Sequence, residues 1–88
     1  MIIEEQDFRL IPSGDSYDLE LLYKVQPKGK ESRMEFKNVA YGISLLYALK
    51  KIARYRIAQK HSDESIQLHT YIKELKDELN ALKQLCEI

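Results

Sequence analysis

The apolar residues of this chain change their period once, at Gly42. Upstream, Tyr17, Leu19, Leu21, Tyr23 and Val25 alternate with Asp18, Glu20, Leu22 and Lys24. A period of two describes a strand with one apolar face. Downstream, Leu45, Leu49 and Ile52 share one helical face, with Leu46, Ala53 and Ile57 beside them. Further on, Leu68, Ile72, Leu75, Leu79, Leu82 and Cys86 are spaced 4, 3, 4, 3 and 4, a heptad repeat. Strands first and helices afterwards select the α+β class.

The punctuation between these runs sets the expected elements. Phe8-Arg9-Leu10-Ile11 is a short apolar run, and Pro12 to Ser16 is turn-forming throughout, so a hairpin is expected there. Pro27-Lys28-Gly29-Lys30 marks a second turn. Residues 33–41 then form a third strand. Met34 and Phe36 share one of its faces and Val39 and Tyr41 the other, which predicts a bulge or a shorter strand. Ser44 can cap a helix ending near Lys60, and Ser62 or Asp63 can cap a second helix. That second helix is expected to run about 24 residues, roughly 36 Å. The predicted architecture is a small antiparallel three-stranded sheet, one helix packed on it, and a long coiled-coil-like C-terminal helix. Residues 1–61 form the sheet-plus-helix domain. Residues 62–88 form an amphipathic oligomerisation element of the same domain.

A chain of 88 residues with 44% apolar residues supports one small, thin core, and chains of this size often complete their burial by oligomerising. No apolar run approaches 18 residues, so no membrane span is expected. The opening MIIEEQDF lacks a basic and then apolar leader, and Cys86 is the sole cysteine. These features predict a cytoplasmic protein.

The zero net charge conceals segregation. Residues 36–62 carry six bases (Lys37, Lys50, Lys51, Arg54, Arg56 and Lys60) and no acid, between two flanks that each carry a net charge of −3. On a helix, Lys50 and Arg54 stack on one exposed face, Tyr47 and Lys51 flank it, and Tyr55 and Arg56 lie around the side. Cations interleaved with tyrosines suit a nucleic-acid surface, because the charges neutralise phosphates and the rings stack on bases. Three structural readings compete: Arg56 and Lys60 complement a helix C-terminus, the acidic flanks pair with the island, or the tyrosines edge a core. An acidic protein surface is a further partner for the same residues.

Catalytic and metal chemistry find little support. His61 and His69, with Asp63 and Glu64 nearby, lack HxxxH or CxxC spacing, so no metal is expected. Cys86 at a heptad position reads as a small apolar filler. The Pro27–Lys30 turn lacks a phosphate-loop pattern. The Glu4-Glu5-Asp7 cluster has no partner at a justified spacing, and a thin core leaves little room for a cleft that shifts pKa values. No enzyme activity and no cofactor are expected.

The heptad stripe, Leu68 through Cys86, reads as the seam of a homodimer or as a docking helix. The alternative is an intramolecular fold-back onto the first helix or the sheet. A membrane surface is disfavoured, because the acidic 63–88 segment is repelled by anionic lipids.

The order strand, turn, strand, YGISLLYALKKIARYRI and charged helical tail resembles small uncharacterised proteins of phages and prophages of Gram-positive bacteria. The likeness rests on Tyr41-Gly42, Ala48-Leu49-Lys50 and the stretch from Ile52 to Ile57. It covers about residues 8 to 60 and brings no catalytic motif. It implies a protein that acts by stoichiometric binding to a host or defence macromolecule, for example as an inhibitor of a CRISPR-type nuclease. The alternative is a nucleic-acid-binding regulator that uses the basic helix 47–60. Contact with either partner is expected through Tyr47, Lys50, Lys51, Arg54, Tyr55, Arg56 and Lys60.

Overall fold

The computed structural model describes residues 1–85. The chain forms β1 (Ile3–Glu4), β2 (Phe8–Ser13), β3 (Ser16–Val25), β4 (Arg33–Ile43), α1 (Leu45–Lys60) and α2 (Leu68–Leu85). It divides into two compact units, one from Met1 to Leu45 and one from Leu46 onward.

The first unit is a sheet of four antiparallel strands in the order β1-β2-β3-β4, not the expected three. The additional strand is β1, which pairs Ile3 with Leu10 and Glu4 with Arg9. Two residues cannot display an alternation, so period carries no signal for it. A backbone bond from the Glu5 amide to the Phe8 carbonyl, 3.0 Å, folds β1 back along β2.

The β2–β3 hairpin turns more tightly than the five-residue separator suggests. Ser13 pairs with Ser16, so only Gly14 and Asp15 lie in the turn. Gly14 has φ +62°, and among the described residues only glycines have positive φ. Positive φ at the first turn residue alone is the pattern of a type II′ turn, which suits the twist of a hairpin. At the second expected turn, the Lys30 amide donates to the Pro27 carbonyl at 3.0 Å.

The mixed facing of β4 arises from bulging. The β3–β4 register slips between Tyr17 and Leu19 and again between Leu19 and Glu20. Glu20 faces Asn38 and Leu19 faces Ala40, so Val39 is an extra residue in β4. At the other slip Gly42 takes φ +61°, and its amide donates to Asp18 Oδ1 at 3.0 Å. A side chain at residue 42 would strain this backbone.

The two faces of the sheet differ in kind. Directly paired residues point to the same side, so Phe8 and Leu21 share a face, as do Leu10, Leu19 and Ala40. Phe8, Leu10, Leu19 and Leu21 are buried, and Leu19 is fully so. The opposite face centres on Arg9. Its guanidinium pairs with Glu4 of β1, lies 3.7 Å from Glu20 of β3, and sits 3.9 Å from the centroid of the Phe36 ring on β4. One side chain therefore links all four strands. Exposed ion pairs contribute little each, and the ring contact adds about 0.5–1 kcal/mol.

In the second unit, α1 matches its expected span, and Ala48, Leu49, Ile52, Ala53 and Ile57 form its buried face. Leu46, expected beside that face, is exposed instead. The second helix begins later than predicted, at Leu68, and among the described residues it has 18 residues, about 27 Å at 1.5 Å per residue. Neither Ser62 nor Asp63 caps it. His61 to Asp63 continue as a turn closed by a 3.1 Å bond from the Glu64 amide to the His61 carbonyl. The Gln67 carbonyl accepts the first α2 bond, from the Tyr71 amide at 3.0 Å. Among the described residues no helix is long and apolar enough to cross a membrane.

Leu19→Ala removes the most enclosed side chain of the sheet. It should lower stability by about 2–5 kcal/mol, measured as a shift in urea unfolding. A loss below about 1 kcal/mol would mean that this face is loosely packed.

Candidate macromolecule-contact surface

The second unit is organised by opposite charges on two helices. Arg56 Nη1 of α1 lies 3.8 Å from Glu78 Oε2 of α2, and Lys60 Nζ lies 3.2 Å from Glu74 Oε1. Each step of four residues down α1 is matched by four residues up α2, so the helices run in opposite senses. One further turn along the same register places Ile52 level with Leu82, and both are fully buried.

This register explains how the heptad stripe is used. α1 ends at Lys60, level with Glu74, so residues 68–73 of α2 extend about 9 Å past the end of α1. Exposure along the stripe follows. Leu82 is buried, Leu75 and Leu79 are half-buried, Ile72 is 42% exposed and Leu68 is 72% exposed. One end of the stripe is therefore satisfied within a single chain, and the other end stands open. Cys86 lies outside the described residues.

The same ladder divides the basic island. Arg56 and Lys60 face acids of α2, as one of the structural readings of the sequence anticipated. Lys50 and Arg54 are exposed, one turn apart, and neither forms an ion pair with the described residues. Lys51 Nζ lies 5.2 Å from the centroid of the Tyr47 ring, itself 47% exposed. Tyr55 is half-buried. The exposed or half-exposed residues of this face are Tyr47, Lys50, Lys51 and Arg54, with exposed Leu46 adjoining them. Lys50, Lys51 and Arg54 form no ion pair among the described residues, and the Tyr47 ring and Leu46 are exposed beside them.

The junction contains a polar clasp that sequence reasoning treated only as a candidate metal site. His61 Nδ1 lies 2.9 Å from Glu64 Oε2, and His61 Nε2 lies 2.7 Å from Glu74 Oε2. The Glu64 and Glu74 hydrogen bonds raise the His61 pKa above its ordinary 6.5, favouring an imidazolium that donates from both nitrogens. The His61 bond is also the main cause that holds the Glu74 carboxyl below its ordinary 4.5, with Lys60 assisting. Glu74 was legible only in hindsight, as an acid four residues before Glu78 opposite bases with the same spacing. Among the described residues no group of three or more His, Cys, Asp or Glu is placed to hold a metal ion.

The clasp predicts a pH dependence. His61 has a raised folded pKa, so its contribution is complete below about pH 6.5 and is lost as pH rises through that folded value. Glu74 has a lowered folded pKa, so its contribution is present above about pH 4.5 and is lost as pH falls through that folded value. The difference in urea midpoint between the wild type and His61→Ala should be largest from about pH 4.5 to 6.5 and shrink toward pH 9. A difference that does not change with pH would remove the charged clasp. Comparison with known protein families, curated proteins and solved structures gave no match to this chain.

Proposed function

We propose that the protein acts in the cytoplasm by stoichiometric binding to an acidic macromolecular surface, without catalysis, and that it does so as a homodimer. The observation that carries the binding reading is the contrast within α1. Arg56 and Lys60 are matched by acids of the same chain, whereas Lys50 and Arg54 are presented outward. The open end of the stripe, Leu68 and Ile72, offers a second, apolar contact. In the phage setting that the resemblance implies, the partner is a host or defence-system protein, with a CRISPR-type nuclease as one example. Tyr47 beside Lys51 favours one alternative, nucleic acid, because an exposed ring next to a cation suits a base and its phosphate.

A single pair of variants separates these readings. Lys50→Glu with Arg54→Glu changes only exposed positions and should leave the circular dichroism spectrum unchanged. Retention of the partner from host extract should fall at least about tenfold relative to wild type, a loss of about 1.4 kcal/mol. DNA and RNA should bind neither form measurably. Nucleic-acid binding by the wild type that drops steeply between about 50 and 200 mM salt, and is absent from the variant, would establish the alternative. Equal behaviour of the two proteins in both assays would overturn the role of α1. Leu68→Asp with Ile72→Asp should likewise preserve folding while weakening partner retention.

A further inference from the structure

The outer edge of β4 bears a charge pattern that is its own complement. β4 ends the strand order and pairs only with β3 in the sheet. Its backbone is regular from Arg33 to Asn38, before the bulge at Val39. An open edge of this length ordinarily invites unspecific pairing, and proteins guard such edges with charges and bulges. Here the charges do more than guard. Residues 31–37 read Glu-Ser-Arg-Met-Glu-Phe-Lys. A two-fold axis through Met34 sets Arg33 opposite Glu35 of a second copy, a combination that occurs twice; extending β4 back over Glu31 and Ser32, which precede the strand, would also set Glu31 opposite Lys37.

We infer that two copies of this chain join edge to edge through β4, antiparallel and centred on Met34, giving one continuous eight-stranded sheet. This inference rests on the homodimer reading and is independent of the α1 contact surface. An isologous interface needs a self-complementary patch, and Arg33-Met34-Glu35 of β4 forms one, with Glu31 and Lys37 complementary on either side of it. Neighbouring registers are worse. Centring on Arg33 or on Glu35 sets like charges face to face, which is destabilising. Centring on Phe36 retains only the Glu35–Lys37 combination. Placing the axis between residues would join the apolar face of one sheet to the polar face of the other. Within one chain Arg33 and Glu35 pair with each other along the exposed edge, and Met34 is 56% exposed. Pairing would exchange the two within-chain pairs for two between copies and cover both methionines.

The α2 stripe is a poorer seat for a second copy. Leu82 of the stripe is already buried within the chain, and Glu78, the acid that would face Lys83 of a parallel second copy, already lies beside Arg56.

Sedimentation velocity over a range of concentrations tests the pairing, with circular dichroism as the folding control. The wild type should sediment as a dimer. Arg33→Glu places acids opposite each other twice and should give a folded monomer. Arg33→Glu combined with Glu35→Arg restores every opposition and should recover the dimer. A dimer that survives Arg33→Glu would overturn the β4 seam while leaving the homodimer intact. The seam also falls if Arg33→Glu gives a monomer that the double variant fails to rescue. A folded wild-type monomer at the highest concentration would overturn the homodimer and the seam together, without touching the α1 binding reading.

Discussion

The register between α1 and α2 is the constraint on which the second unit depends. It is set by two ion pairs and a histidine clasp, Arg56–Glu78, Lys60–Glu74 and His61 between Glu64 and Glu74. Taken singly, exposed pairs of this kind are worth at most about 1 kcal/mol. Their importance is positional. Sliding α2 by one turn would exchange every charged partner and move Leu82 out of level with Ile52. Burial of leucine and isoleucine supplies the stability, and the charges choose which leucine is buried.

That choice has consequences for the exposed surface. Because Glu74 is level with the last residue of α1, the start of α2 projects beyond it, and Leu68 and Ile72 are left open. Because Glu74 and Glu78 engage Lys60 and Arg56, the cations of α1 that form no ion pair among the described residues lie further toward its start, at Lys50, Lys51 and Arg54. One set of contacts thus defines both the apolar and the cationic parts of the exposed surface.

The sheet solves a different problem. Its apolar face is built from Phe8, Leu10, Leu19 and Leu21, and the bulge at Val39 sets Ala40, instead of a valine, beside Leu19. Arg9 ties the other face together through two carboxylates and one ring. The bulges also end the regular edge of β4 after Asn38, so the part of that edge open to regular pairing holds Arg33, Glu35 and Lys37 of the self-complementary run.

The α+β class, the β2–β3 hairpin, the Pro27–Lys30 turn and the span of α1 were legible in the sequence. Each rests on local information: a period, a turn-forming residue, or a change from one period to another. β1 was not legible, because a two-residue strand exists only through its pairing with β2. The start of α2 was misplaced, because Ser62 and Asp63 are good caps in isolation, yet the chain there turns to bring His61 toward Glu64 and Glu74. The sequence alone determined that a basic helix would precede a leucine-striped one. Only the tertiary structure decided which bases are neutralised and which leucines are covered, because both depend on the register of one helix along another, and no local pattern encodes a register between segments.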